Sequence, residues 1–136
     1  MDENQVIWQE LRTKQNNLDS LDERNRSIRQ QREKQFEDLQ QKRNQLLYMM
    51  EGKYQMMQHY LGQVDVDTTE ERARLNRIAS DFSQAVSMGY TRNQRTLEQR
   101  IENEEIEYRR ERRKLEEDID TLHRRKMKFD QEKKKG

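Results

Sequence analysis

Apolar residues recur along the first half of the chain in alternating steps of three and four positions. The steps run through Ile7, Leu11, Leu18, Leu21 and Ile28, with polar residues filling two gaps. Such spacing is the heptad pattern of helices that pack along one narrow seam. After residue 32 the pattern moves one position along the chain. Because a straight helix drifts against a strict heptad, this shift predicts little sustained supercoil.

The second half of the chain carries the cleanest heptad. Its apolar residues stand seven positions apart, at Ile101, Tyr108, Leu115, Leu122 and Phe129. Between the two halves, the segment GQVDVD over residues 62–67 interrupts both periods. We therefore predict helices over residues 2–61 and 68–133, joined by a loop over residues 62–67.

Two local signals mark the predicted loop. Gly62 stands where the first helix is expected to end, and glycine readily adopts the left-handed conformation that ends many helices. Thr68 and Glu71 match a capping box, in which each side chain accepts a hydrogen bond from the other residue's backbone N–H. We predict both features at the loop.

A short connection between two helices of nearly equal length makes them antiparallel neighbours. In a register whose opposed positions sum to about 133, Leu11 faces Leu122 and Leu18 faces Leu115. We predict a single all-α domain over residues 1–136, an antiparallel coiled-coil hairpin. Because a lone hairpin buries one thin seam, we expect a partner to complete it into a larger helical bundle. The predicted hairpin seam comprises Ile7, Leu11, Leu18, Leu21, Ile28, Phe36, Leu97, Ile101, Tyr108, Leu115, Leu122 and Phe129.

A methionine- and tyrosine-rich segment, residues 46–61, holds more apolar side chains than one seam can bury. Flexible methionine side chains suit surfaces that adapt to a partner. The first part of the second helix adds further apolar residues between Ile78 and Tyr90. The predicted partner-binding residues are Leu46, Leu47, Met49, Met50, Tyr54, Met56, Met57, Tyr60, Ile78, Phe82, Val86 and Tyr90. The alternative is that this segment forms the hairpin's own core near the loop.

Composition favours long helices over a globular core. Charged residues make up 40% of the chain, hydrophobic residues 29%, and proline is absent. The net charge of +1 argues against a general nucleic-acid binder, which needs a basic face. Without cysteine there is no disulfide and no thiolate zinc site. The sequence shows no signal peptide and no membrane span, so we expect a cytoplasmic protein.

The candidates for chemistry are few. His59 and His123 lie far apart and neither has a second ligand at metal-binding spacing. The acidic run Glu102–Glu107 is typical of a solvated helix face, because nothing in the sequence suggests a cleft that would raise a carboxyl pKa. We therefore expect no catalytic residue, no metal and no cofactor.

Two further features leave alternatives open. The basic run HRRKMKFDQEKKKG, residues 123–136, could contact nucleic acid or an anionic membrane, or could be a solvated helix terminus. Trp8 could pack against residues 126–129 or could anchor an interface.

The second helix runs LEQRIENEEIEYRRERRKLEEDIDTLHRRKMKF from Leu97 to Phe129. With this run, the chain resembles the small helical proteins encoded beside LXG-domain toxins of the type VII secretion system of Gram-positive bacteria. The resemblance implies a non-catalytic adaptor or targeting chaperone. Such a protein binds the N-terminal helical domain of its toxin, together with a second small helical protein, and promotes export. It either stays in the cytoplasm or leaves with its partner.

The chain departs from secreted proteins of that system in two ways. Those proteins carry a Trp-x-Gly turn, whereas the turn here reads LGQVDVD. They also carry an export motif, an aromatic residue followed four positions later by an acidic one, and this motif is missing here. The implied export signal would therefore come from the second small protein.

Two alternative functions stay open. The chain also resembles the hairpin proteins of flagellar and type III export, which implies an export ATPase as partner. A self-associating structural coiled coil, such as a homodimer, would need a seam sustained through Arg29–Gln45, and there the apolar pattern is weakest.

Overall fold

The computed structural model describes residues 2–135 and consists of two long α-helices. Helix α1 spans Glu3–Gln63 and helix α2 spans Thr69–Lys135. The two helices pack against each other as a hairpin, so the predicted all-α fold class is confirmed. Both helices run two residues beyond the ends predicted from the sequence.

Helix α1 begins at an aspartate cap. The Asp2 carboxylate accepts a hydrogen bond from the backbone N–H of Gln5 at 2.8 Å. The Asp2 carbonyl accepts another from the N–H of Val6 at 3.2 Å. The first bond satisfies an N–H group that the first turn of a helix otherwise leaves without a partner, and the second is the first backbone bond of the helical ladder.

The loop differs from both local predictions. Gly62 lies inside α1, and no glycine among residues 2–135 has a positive φ, so the predicted left-handed glycine is wrong. The chain instead turns over residues 64–66, which keep backbone conformations open to any residue. Glycine's conformational freedom is therefore not required there.

Helix α2 begins with a different cap from the predicted one. The Asp67 carboxylate accepts hydrogen bonds from the Thr69 hydroxyl at 2.6 Å and the Thr69 N–H at 3.1 Å. These two bonds lower the pKa of Asp67 below its ordinary value. The Thr68 hydroxyl accepts from Arg72 Nε at 3.0 Å. Asp67 thus takes the role that the sequence assigned to a capping box of Thr68 and Glu71, because its carboxylate reaches the first N–H of α2.

The hairpin is described as two compact units. The terminal unit contains α1 up to Gln31 and α2 from Arg100. The loop unit is Arg32–Gln99. On α1 the boundary falls inside the segment where the apolar pattern is weakest.

The core of the terminal unit lies toward the free ends of the helices. Ile7 is 1% exposed and packs in one cluster with Leu11 and Leu122, against which Ile119 lies. Leu11 and Leu122 are a pair that the predicted register placed opposite each other. The other seam residues of this unit are buried or half-buried: Leu18, Leu21, Ile28, Ile101, Tyr108, Leu115 and Phe129.

Polar pairs between α1 and α2 hold the register of the terminal unit. Asp22 accepts hydrogen bonds from the Tyr108 hydroxyl at 2.6 Å and from Arg112 Nε at 3.1 Å. The same Arg112 pairs along its own helix with Glu116. Residue numbers of the Asp22 pairs sum to 130 and 134, close to the predicted register. The hydrogen bond from Tyr108 and then that from Arg112 lower the pKa of Asp22.

Two more ion pairs join the helices of this unit. Lys14 Nζ lies 3.2 Å from Asp118, and Arg29 lies 3.0 Å from Glu105. Both pairs are largely exposed, so each stabilises the fold only weakly. Their shared effect is to favour one alignment of the helices, because a shifted register would separate every pair.

The loop unit has a thinner seam. Leu61 and Leu97 are buried, and Phe36 is half-buried. Arg43 occupies a half-buried seam position and its guanidinium lies 4.3 Å from the centre of the Tyr90 ring. This cation–π contact lets the charged side chain of Arg43 occupy a seam position against the face of an aromatic ring.

The hydrogen bonds to Asp22 predict a pH dependence of stability. Because the pKa of Asp22 is lowered in the folded protein, its contribution is present above the ordinary carboxyl pKa. It is lost as the pH falls through the lowered value, from about pH 5 downward. We expect Asp22→Asn to lower the Tm by about 2–4 °C at pH 7 and to lose less stability than wild type in acid. Thermal unfolding followed by circular dichroism across this pH range measures both effects.

The matched control is Asp19→Asn, which alters an exposed aspartate one turn earlier on α1. The stability of this variant should fall with decreasing pH as steeply as that of the wild type. An unchanged slope in Asp22→Asn would show that the bonds to Tyr108 and Arg112 do not persist in solution.

Candidate helix-docking surface

The loop unit buries only half of the predicted partner-binding residues. Those that face the other helix and are half-buried are Leu47, Met50, Tyr54, Phe82, Val86 and Tyr90. Those that remain exposed are Leu46, Met49, Met56, Met57, Tyr60 and Ile78. One set therefore lies in the seam, and the other set is open to solvent.

The exposed set lies on one side of the hairpin. Successive helical residues turn by about 100°, so Leu46, Met49, Met56 and Tyr60 fall on one stripe of α1. Because α2 runs antiparallel, Ile78 lies on the same side. The exposed fractions are high: 73% for Met56, 60% for Tyr60 and 59% for Ile78. We call the six exposed residues the apolar flank.

The opposite side of the loop unit is polar and hydrogen-bonded within itself. The Tyr54 hydroxyl donates to Asn76 Oδ1 at 2.5 Å and accepts from Gln58 Nε2 at 2.6 Å. The exposed serines Ser80 and Ser87 and half-buried Ser83 lie on the same side of α2 by helical spacing. A hairpin in water gains nothing from making one side apolar and the other polar. This asymmetry identifies the apolar flank as the candidate docking surface.

A single lysine lies in the middle of the apolar flank. Lys53 stands four positions after Met49 and three before Met56, on the same stripe of α1. The residues three and four positions away on either side are all methionines, so no carboxylate of its own helix reaches it. Lys53 is exposed, and no ion pair that includes it occurs among residues 2–135. Sequence reasoning missed Lys53 because it followed the apolar residues alone. Its place within the stripe was the available signal.

Other exposed apolar residues lie outside the apolar flank. Tyr48 and Met88 lie away from the seam on opposite helices, and single exposed apolar side chains are common in folded proteins. Trp8 is 56% exposed, and Lys126 Nζ lies 5.8 Å from the centre of its ring. The structure thus places the Trp8 ring near Lys126.

The histidines and carboxylates that could serve as metal ligands or catalytic groups make the following contacts. His59 Nε2 lies 3.0 Å from Gln63 Nε2 on the helix surface. Within the acidic run, Glu105 pairs with Arg29 at 3.0 Å and with Arg109 at 3.7 Å. Over residues 2–135 no group of three or more histidine or carboxylate side chains is arranged to hold a metal ion. Neither described helix has a stretch long and apolar enough to cross a membrane.

No protein-family model, no curated protein and no solved structure matches this chain.

Two glycines of the loop unit have room for a side chain. A Cβ added at Gly52 or at Gly89 meets no atom within 4 Å, and both residues lie inside helices. We expect Gly52→Ala and Gly89→Ala each to raise the free energy of unfolding by about 0.5–1 kcal/mol, because alanine loses less backbone entropy in a helix. Urea unfolding measures both values.

The two variants control for each other, since Gly89 is half-buried and Gly52 is exposed. A loss of stability in Gly89→Ala alone would mean that α1 approaches α2 more closely at that position than the structure shows.

Proposed function

We propose that this chain is a non-catalytic adaptor that binds a helical segment of another protein on its apolar flank. The observation that supports this is the asymmetry of the loop unit, whose one side is apolar and exposed while the other carries the hydrogen bonds of Tyr54 with Asn76 and Gln58. Binding a helix on the apolar flank would complete the hairpin into a bundle of three or more helices. Such helix-in-groove recognition is a common way to bind amphipathic segments.

Burial of apolar side chains supplies the affinity in this mechanism. Fully burying an exposed large apolar side chain is worth about 1.5–3 kcal/mol, and each of the six flank residues, 41–73% exposed, offers a part of that. Methionine side chains also adapt to partners of different shape, which suits an adaptor. The predicted weak segment of the seam, Arg29–Gln45, would leave the free hairpin marginally stable and favour binding further.

The partner we propose is the N-terminal helical domain of an LXG-domain toxin, bound together with a second small helical protein before export by a type VII secretion system. The support for this finer proposal is the resemblance of the run from Leu97 to Phe129 to the small helical partners of such toxins. The adaptor would act in the cytoplasm, either staying there or leaving with the toxin. An export ATPase and a second copy of this chain are the alternative partners.

Co-expression of the tagged chain with the N-terminal domain of a neighbouring LXG toxin tests the proposal. We expect the wild type to retain the toxin domain, and the double variant Met49→Asp, Met56→Asp to lose it at least ten-fold, because two carboxylates would be desolvated on binding. The matched control is Met88→Asp, which alters an equally exposed methionine outside the apolar flank. It should bind as the wild type does.

Circular dichroism of each variant separates loss of binding from loss of fold. Met49 and Met56 are exposed, so helicity should survive in the double variant. Met50→Asp alters a half-buried seam residue and should unfold the loop unit instead. Equal loss of the toxin domain in the Met88→Asp control would place the docking surface elsewhere. Failure of the wild type to retain the domain would argue against an LXG toxin as partner.

A further inference from the structure

The charges around the apolar flank are of one sign on α1. Lys42 and Lys53 both lie on this side of the helix by helical spacing. Between Leu39 and Gln63 the one carboxylate in α1 is Glu51, and it lies on the opposite, polar side. A helix that covers the flank therefore meets an ammonium group among methionines and no carboxylate from α1.

Lys53 is the residue that this arrangement isolates most strongly. It lies on the midline of the stripe, with Met49 and Met56 one turn away on either side. On the facing helix, Ile78 is the flank residue near this level, and no ion pair joins Lys53 to the exposed carboxylate of Asp81, three positions further along α2. A docked helix would remove water from the ammonium group, and a desolvated charge without a partner is costly.

Pairing α1 with α1 of a second copy does not supply the missing charge, because the one carboxylate of this stretch, Glu51, lies on the opposite side. In the symmetric antiparallel arrangement with the greatest overlap, Leu46 lies opposite Tyr60 of the other copy. In that arrangement Lys53 lies opposite its own counterpart, and two like charges would be brought together on a surface losing water. The charge of the flank thus disfavours self-association through it.

We infer that the occupant of the apolar flank is an amphipathic helix whose apolar stripe is interrupted by a glutamate or aspartate that pairs with Lys53. This inference rests on the proposed function, since it names the chemistry of the partner that the same surface binds. Lys53 is then a specificity residue. A single polar pair within an otherwise apolar interface sets the alignment of the helices, because any shift leaves both charges without partners.

Three synthetic peptides test this directly. They share one helical sequence with a leucine stripe and differ at the centre of the stripe, which carries glutamate, glutamine or lysine. Binding of each labelled peptide to the full chain is measured by fluorescence anisotropy. For the wild type we expect the glutamate peptide to bind about ten-fold more tightly than the lysine peptide, with glutamine between them.

Variants of the chain identify the residue responsible. Lys53→Glu should reverse the order, so that the lysine peptide binds most tightly. Lys53→Met should favour the glutamine peptide over both charged ones. The matched control is Lys34→Glu, which reverses an exposed charge of α1 nineteen positions before Lys53 and should keep the wild-type order. The double variant Met49→Asp, Met56→Asp should bind none of the peptides.

The outcomes separate this inference from the proposed function. Equal binding of all three peptides to the wild type, lost in Met49→Asp, Met56→Asp, would overturn the role of Lys53 and leave helix docking standing. Absence of binding by every peptide would count against both. Sedimentation of the wild type alone as a dimer, with a monomer in the double variant, would identify a second copy as the occupant and overturn the inference.

Discussion

Two packed helices share a single line of contact, and this geometric limit underlies the rest of the structure. Each helix can turn only one stripe of side chains toward the other, so most of its surface stays in water. The high charge content of the chain, 40% of its residues, fits this limit, because charged side chains keep the exposed surface of two long helices in contact with water. Any further apolar stripe must remain exposed until a third helix covers it. The apolar flank of the loop unit is such a stripe.

The terminal and loop units use the shared seam differently. In the terminal unit, apolar packing around Ile7 and Leu122 is accompanied by polar pairs that favour one register. These pairs are weak singly, but a shift of the helices would break all of them together. In the loop unit the seam is thinner, and Arg43 lies in it against Tyr90. That unit carries the exposed apolar residues as well, so the surface proposed for binding lies in the unit with the smaller share of buried leucine and isoleucine.

Helix docking explains features that a simple coiled coil does not need. A self-contained hairpin has no need of three exposed methionines on one side of the loop unit while its other side forms hydrogen bonds such as Tyr54 to Asn76. Lys53 adds a chemical requirement to the shape of that surface. Affinity and specificity would then come from different residues: the methionines supply the buried area, and the lysine selects the partner's charge and alignment.

Periodicity and composition alone determined the two helices, the short connection and the antiparallel register, because these follow from local spacing and chain length. Two predicted details of the loop were wrong. Helix α1 continues through Gly62, and Asp67 caps α2 in place of the Thr68–Glu71 box. Which of several neighbouring polar residues caps a helix depends on where the chain turns. Sequence also could not divide residues 46–61 into buried and exposed sets. That division depends on which face of α1 meets α2, a rotation about the helix axis that only the tertiary structure decided. The same rotation placed Lys53 among exposed methionines and Glu51 on the opposite side.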